Sequence, residues 1–164
     1  VTRKCAELGV NVKMSEVWGK GGEGGIELAE EVVRLCEEPN NFQFSYDLDM
    51  PIKDKITAIA TKVYGADGVD FAPKAAKEIE ELEKNGFGNI PVCMAKTQYS
   101  LTDDQTKLGR PTGFRITVRQ VTVSAGAGFV VALTGEIMKM PGLPKVPAAE
   151  KIDVDNTGKI SGLF

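Results

Sequence analysis

WGKGGEGG, residues 18–25, contains five glycines and the only tryptophan of the chain. Before this glycine stretch, apolar and polar side chains alternate over residues 10–17, which predicts a half-buried strand. After it, the apolar periodicity predicts an amphipathic helix from Ile26. Glycines let a backbone approach a bound group closely, and free N–H groups at a helix start attract anions. The stretch therefore predicts a strand-to-helix loop beside a flat aromatic wall, suited to a ligand with a ring and a charge.

Two other interpretations of the glycine stretch stay open. Gly19, Gly21 and Gly24 fit the G-x-G-x-x-G pattern of a dinucleotide-binding turn, although Glu23 would lie in the pyrophosphate cradle and repel it. A structural role is also compatible with the pattern, because glycine-rich turns are common and a single tryptophan is often a core residue. The pattern thus leaves a ligand site, a dinucleotide-binding module and a packing role as alternatives.

Length, composition and charge indicate an ordinary globular protein. At 164 residues, the chain is the size of one domain, or of one domain and part of another. Its formal net charge of −3 does not indicate the basic surface that binds nucleic acid. No apolar run reaches the ~18 residues that a membrane span requires, and no signal segment opens the chain. The sequence therefore predicts a soluble, cytoplasmic protein with no nucleic-acid or membrane partner.

The reactive residue types narrow the chemistry. Histidine is absent, which excludes Ser-His-Asp and Cys-His nucleophile systems and histidine-ligated metals within this chain. Cys5, Cys36 and Cys93 are widely spaced among apolar residues, which predicts free, buried thiols. Asp153 to Gly158 resembles the start of a calcium loop, but the glutamate required at its twelfth position is absent, so a β-hairpin is predicted instead.

The periodicities predict a mixed α/β layout. Helices are expected over residues 26–38, from Pro51 to Gly65 and over 73–84, and strands over residues 42–46, 91–95, 114–123 and 129–133. The apolar alternation slips by one position after Val118, which predicts a β-bulge. Residues 96–113 are predicted to be a long functional or disordered loop, and residues 140–149 a coil. The fold class is expected to be α/β, with residues 1–45 as the C-terminal end of a preceding α/β domain and residues 46–164 as a smaller mixed α/β domain.

Seven blocks of the sequence carry a family resemblance: Ser15–Gly25, Pro51–Val69, Gly86–Asp104, Leu108–Phe114, Ser124–Phe129, Met140–Ala149 and the terminal ISGLF. In order and without a large gap, these blocks resemble the C-terminal portion of formate–tetrahydrofolate ligase (10-formyltetrahydrofolate synthetase). The bacterial single-function form is closer than the multifunctional eukaryotic form. Because the blocks are long and unusual, this resemblance is more specific than any of the short motifs.

The resemblance implies a cytoplasmic homotetrameric enzyme of one-carbon metabolism. Such an enzyme uses ATP to phosphorylate formate, and N10 of tetrahydrofolate attacks the formyl phosphate to yield 10-formyltetrahydrofolate, ADP and phosphate. Magnesium accompanies ATP, and a monovalent cation such as potassium supports activity. The family's P-loop belongs to the N-terminal portion, so this chain is expected to contain no catalytic residues and to be inactive alone. It is expected to contribute a folate pocket wall and subunit structure to the remainder of the ligase chain.

The resemblance also implies binding residues. Trp18 corresponds to the tryptophan that stacks on the pterin ring of folate, and Met14 to an apolar wall of the same pocket. The glycine loop near folate and phosphate comprises Lys20, Gly21, Gly22 and Glu23. A second loop, near the adenine end of the nucleotide, comprises Arg110, Pro111, Thr112 and Gly113. Metal ligands are not indicated, and Lys96, Thr97 and Gln98 have no assigned role. A non-catalytic structural or oligomerisation segment stays open as the alternative function.

Overall fold

The computed structural model describes residues 1–135, 137, 142 and 144–163. The chain divides into two compact units, a first unit of residues 1–44 and a second unit of residues 45–164. None of the helices among the described residues combines the length and the hydropathy that a membrane span requires. The coil predicted over residues 140–149 lies partly outside the described residues.

The first unit is helical. It contains α1 (Thr2–Glu7), α2 (Val17–Lys20), a 3₁₀ turn (Gly21–Gly25) and α3 (Ile26–Cys36). At 100° per residue, the apolar side chains of α3 occupy one half of its circumference, opposite Glu27, Glu30, Glu31 and Arg34. All residues of the first unit are described, and none of them is buried. The first unit therefore has an amphipathic helix but no hydrophobic core of its own.

Two predicted strands are absent from the structure, and those predictions are wrong. Residues 10–16 are irregular and Val17 already belongs to α2, while residues 42–46 contain no strand either. A strand persists only when its backbone N–H and C=O groups pair with a neighbour. Residues 1–44, all of them described, contain no strand that could act as that neighbour.

Residues 10–16 are instead held against the helical part of the first unit. The side-chain amide of Asn11 donates to Glu31 Oε1 at 2.5 Å, and the N–H of Glu16 donates to the carbonyl of Gly24 at 2.9 Å. The glycine stretch is therefore a helical turn that connects α2 to α3, and the predicted strand-to-helix loop is corrected accordingly.

The second unit is a four-stranded sheet with two helices. Its elements are α4 (Ile52–Lys62), β1 (Gly68–Phe71), α5 (Pro73–Lys84), β2 (Val92–Ala95), β3 (Arg115–Ser124) and β4 (Phe129–Thr134). The strand order is β1-β3-β4-β2. Strand β1 is parallel to β3 and β2 is parallel to β4, whereas β3 and β4 are antiparallel. The predicted α/β fold class is confirmed, and β1 is a strand that the periodicity did not predict.

The helices of the second unit begin and end at recognisable signals. Pro73 opens α5, since its fixed φ suits a first helical turn and its missing N–H would have no partner there. The Glu83 carboxylate of α5 accepts the N–H of Ile52 at 2.7 Å, so α5 caps the start of α4. Gly65 and Gly86, with φ of 73° and 85°, take the left-handed conformation that ends each helix.

An apolar core joins both helices to the sheet. Its buried members are Ile52, Ile56, Ala75, Ile79, Val118, Val121, Val130 and Ala132. A smaller buried cluster consists of Ala60, Ala66, Phe114 and Ile116, with Tyr64 packed against it. Burying one aliphatic side chain stabilises a fold by about 1.5–3 kcal/mol, so these clusters provide the second unit with the core that the first unit lacks.

The predicted β-bulge is confirmed in β3. The register with β4 shifts between Val118 and Gln120, so Val118 and Val121 are both buried although they are three residues apart. The pairing of β1 with β3 ends at Val118. Beyond that point, the N–H of Val121 donates to the Glu78 carboxylate of α5 at 2.7 Å, which satisfies a backbone group near the bulge.

The predicted C-terminal hairpin is also confirmed. Strand β5 (Asp153–Val154) is antiparallel to β6 (Ile160–Ser161). The Thr157 hydroxyl donates to Asp155 Oδ1 at 2.6 Å, and the N–H groups of Lys159 and Thr157 donate to the same oxygen at 3.0 and 2.8 Å. These hydrogen bonds lower the pKa of Asp155. The segment that resembles a calcium loop is therefore a hairpin turn, closed by hydrogen bonds to the Asp155 carboxylate.

Candidate functional site

Three of the five glycines in the glycine stretch are required by the local structure. Gly21 has a φ of 59°, which favours glycine. A Cβ atom on Gly24 would lie 2.5 Å from the carbonyl carbon and oxygen of Glu16, and one on Gly25 would lie 2.8 Å from Cγ1 of Val17. These glycines let the 3₁₀ turn fold back against the residues just before the tryptophan.

Gly19 and Gly22 have no such structural requirement. No atom lies within 4 Å of a Cβ placed on either residue, and neither has a positive φ. Their backbone faces open space on both sides of Lys20. Because they carry no side chain, a bound group could approach the main chain closely at both positions.

The side chain of Trp18 projects fully into solvent. It is 100% exposed, and Met14 is 77% exposed. Among the described residues, none therefore buries the indole. Isolated exposed apolar residues are common, but a fully exposed indole provides a surface on which a ring could stack.

A groove of about 340 Å³ lies along the glycine stretch. Its lining residues are Met14, Glu16, Lys20, Glu23, Gly24, Ile26 and Glu27. The structure thus brings together three of the predicted folate-site residues (Met14, Lys20 and Glu23), whereas Trp18, Gly21 and Gly22 do not line the groove.

The charge of this groove is acidic. The Lys20 ammonium lies 2.6 Å from the Glu16 carboxylate, so its charge is already paired. Glu23 and Glu27 remain without a cation among the lining residues. A phosphate would be repelled here, whereas a ligand that donates N–H groups would be accepted.

The dinucleotide-binding interpretation meets two obstacles in this geometry. The Rossmann turn connects a strand to a helix and places its pyrophosphate at the helix start. The first unit, described in full, contains no strand, and Glu23 lines the groove at the position of the turn. The structure therefore does not support a dinucleotide-binding module.

The predicted nucleotide residues lie in the second unit, in a loop over residues 96–113 without helix or strand. Arg110, Thr112 and Gly113 are exposed, and Pro111 is half-buried. These four residues do not line the groove of about 380 Å³ on the same unit, whose walls are Thr97, Asp103, Asp104, Gln105, Thr106, Arg119 and Gly135. The loop is thus accessible at Arg110–Gly113 and forms a second groove elsewhere.

Comparison with protein families identifies the chain. Residues 1–164 match the sequence model of the family described as formate–tetrahydrofolate ligase. The chain belongs to the formate–tetrahydrofolate ligase family. The match covers every block on which the resemblance rests, and the family relates the chain to a ligase of one-carbon metabolism that uses formate and tetrahydrofolate.

Membership of the formate–tetrahydrofolate ligase family does not show which residues of this chain bind a ligand. The described residues include no group of three histidine, cysteine or acidic side chains that could hold a metal ion. The three cysteines are free, as predicted, but Cys36 and Cys93 are exposed and Cys5 is half-buried, so the predicted burial is wrong.

Two features of this ligase-family chain escaped the sequence analysis. One is the second groove with Arg119 in its wall; the other is the environment of Lys96, whose ammonium is surrounded by backbone oxygens. The unusual length of the loop was the available signal for both. The oxygens around Lys96 belong to the main chain, so no pattern of side chains could have indicated them.

Proposed function

We propose that this chain is the C-terminal part of an ATP-dependent formate–tetrahydrofolate ligase that forms 10-formyltetrahydrofolate through formyl phosphate. In this proposal the chain supplies one wall of the folate pocket and contains no catalytic residue. The observation that carries the proposal is the fully exposed indole of Trp18 beside the glycine stretch. Family membership supplies the substrates, and the geometry supplies the surface that would receive one of them.

Trp18 provides a stacking surface for the pterin ring. Both faces of its indole are open, and a ring stacked on an aromatic side chain contributes about 1–3 kcal/mol by analogy with nucleobase stacking. Met14, exposed on the same unit, adds an apolar contact. The bare backbone at Gly19 and Gly22 leaves the space beside the indole unobstructed.

The acidic groove suits the hydrogen-bonding edge of a pterin better than a phosphate. A pterin presents N–H donors on its pyrimidine ring, and carboxylates are acceptors. Glu23 lines the same groove as Met14 and has no cationic partner among the lining residues. We therefore assign the Lys20–Glu23 segment to folate contacts and place the phosphate groups elsewhere in the ligase.

The uncovered helix α3 supports the proposal that the first unit completes a larger domain. Its apolar side chains remain between 39% and 64% exposed: Ile26, Leu28, Val32, Val33 and Leu35. An apolar face that covers half of a helix is typical of a layer packed against a sheet. In the proposed ligase, the preceding part of the chain covers this face and also carries the P-loop.

The remaining assignments follow from the same proposal. Arg110, Pro111, Thr112 and Gly113 would lie near the adenine end of ATP, where the exposed guanidinium can contact a ring or a phosphate. In this proposal, the magnesium that accompanies ATP and the potassium ion are held by the rest of the ligase. We further propose that the complete enzyme is a cytoplasmic homotetramer.

A split-enzyme experiment tests the proposal. The 164-residue chain and the preceding segment of a full-length family member are expressed separately and together, and the ATP- and formate-dependent formation of 10-formyltetrahydrofolate is measured. We expect no turnover from either part alone and measurable turnover from the pair. Turnover by the 164-residue chain alone would show that it contains the phosphoryl-transfer machinery and would contradict the proposal.

The alternative, a segment devoted to packing or oligomerisation, also accounts for the uncovered apolar face of α3. Both functions require that face to be covered, so burial of α3 does not distinguish them. The role of Trp18 does. A packing segment predicts that loss of the indole lowers stability, whereas a folate wall predicts that it weakens folate binding alone.

A further inference from the structure

Lys96 follows β2 directly and points its ammonium into the loop that it opens. The ammonium donates to the backbone carbonyls of Thr97, Ser100 and Thr102, and the distances to the Thr97 and Thr102 oxygens are 2.9 and 3.0 Å. A lysine ammonium has three N–H donors and no acceptor. All three donors are therefore used by main-chain oxygens of one loop.

An aromatic ring covers another side of the same cation. The Lys96 Nζ atom lies 5.2 Å from the centroid of the Tyr64 ring, within the range of a cation–π contact. Tyr64 follows α4 and packs against the smaller apolar cluster. The ammonium thus connects the loop to the body of the second unit.

The residues that supply the carbonyls are themselves fixed around the cation. Ser100 and Thr102 are buried, at 8% and 1% exposure. The Ser100 Oγ accepts the N–H of Thr102 at 3.0 Å and donates to the carbonyl of Lys107 at 2.5 Å. The Thr102 Oγ1 accepts the N–H of Asp104 at 3.0 Å. Residues 97–107 therefore fold as one hydrogen-bonded shell with the ammonium at its centre.

Three carbonyl dipoles that converge on one point create a negative potential, which requires a positive charge. Burial lowers the pKa of Lys96, and the Asp103 carboxylate acts in the opposite direction. A neutral amine would leave one carbonyl without a donor, because it has two N–H groups and three oxygens face it.

We propose that the Lys96 ammonium acts as a tethered monovalent cation, and that its coordination by three carbonyl oxygens folds residues 97–107. Lys96 is in this sense a positioning residue, since Thr97 and residues 103–106 form most of the second groove. Removal of the side chain should leave a carbonyl-lined site that a free alkylammonium ion can occupy. This inference does not depend on the proposed ligase function.

Hydrogen exchange of the 164-residue chain tests the inference. In Lys96→Ala, the amides of Thr102 and Asp104 should exchange about 10- to 100-fold faster, the effect of losing a charged hydrogen-bond donor. Addition of n-propylammonium, which restores the three carbons and the ammonium removed by the substitution, should slow exchange again by about tenfold. Tetramethylammonium at equal concentration has the same charge and no N–H donor, so it should have no effect.

Two further variants make the result decisive. Lys96→Met fills the same space without a charge and should lose protection as Lys96→Ala does; wild-type exchange in Lys96→Met would overturn the inference. Equal effects of the two ammonium ions on Lys96→Ala would also overturn it. Lys107→Met, which changes an exposed lysine of the same loop, should exchange within about twofold of wild type. Loss of protection at the core residue Ile79 would contradict the inference, which confines the effect to the loop.

Exchange is the suitable measurement because the proposed ligase itself uses a monovalent cation, so turnover would respond to ammonium for another reason.

Discussion

Trp18→Ala in the full-length ligase should weaken folate binding with no loss of stability from contacts within this chain. The indole is 100% exposed in the structure, so its removal breaks no internal packing, and surface substitutions usually change stability by less than about 0.5 kcal/mol. A stack between a ring and an aromatic side chain contributes about 1–3 kcal/mol. At about 1.4 kcal/mol for each factor of ten, the tetrahydrofolate KM should rise by about 5- to 150-fold.

The assay is steady-state turnover with tetrahydrofolate varied and ATP and formate saturating, together with the Tm of each variant. Trp18→Phe should raise the tetrahydrofolate KM less than Trp18→Ala does, because a phenyl ring still stacks, although over a smaller area. Phe42→Ala removes another exposed aromatic side chain of the first unit and should leave the KM unchanged. An unchanged tetrahydrofolate KM in Trp18→Ala would refute the stacking role, and a fall in Tm would favour the packing function.

Four further substitutions test the fold and the site. Gly24→Ala places a Cβ 2.5 Å from backbone atoms of Glu16, so it should distort the turn, change the circular dichroism spectrum and raise the folate KM. The Cβ of Gly22→Ala meets no atom within 4 Å. Gly22→Ala should therefore preserve the circular dichroism spectrum and raise only the folate KM. Ile79→Ala removes a fully buried side chain and should lower the free energy of unfolding by about 2–5 kcal/mol in denaturant titrations. Hydrogen bonds from Arg115 on β3 lower the pKa of Asp70 below its usual 3.8. The wild type should therefore have a higher Tm than Asp70→Asn above about pH 4. This difference in Tm should vanish as the pH falls through the lowered pKa.

The second unit was predictable because its elements find their partners within the chain. Pro73 at the start of α5 and Gly86 after its end are local signals, and both act as the sequence indicates. The slip in alternation after Val118 required a bulge, because valines on both sides of the slip face the same core. Strand β1 was missed because two of its four residues are glycine and aspartate, which are uncommon in strands.

The first unit was predicted poorly for the opposite reason. The alternation of Val10, Val12 and Met14 marks a face that requires burial, but periodicity does not identify the surface that buries it. With no strand to pair with in residues 1–44, the segment is irregular and is held through Asn11 and Glu16. A pattern therefore predicts a strand reliably only where its pairing partner belongs to the same unit. Helix α3 forms as predicted because a helix satisfies its own backbone hydrogen bonds.

The glycine stretch shows how a motif can combine two requirements that the sequence does not separate. Gly21 and Gly24 are needed because the backbone turns or approaches itself closely, and Gly25 because a Cβ atom there would meet the Val17 side chain. Gly19 and Gly22 are not, since a side chain would meet no atom at either position. Selection for folding alone would therefore permit other residues at these two positions. We propose that their bare backbone, which flanks Lys20, gives access to a bound molecule. The contrast between Gly24→Ala and Gly22→Ala separates the folding requirement from the binding requirement.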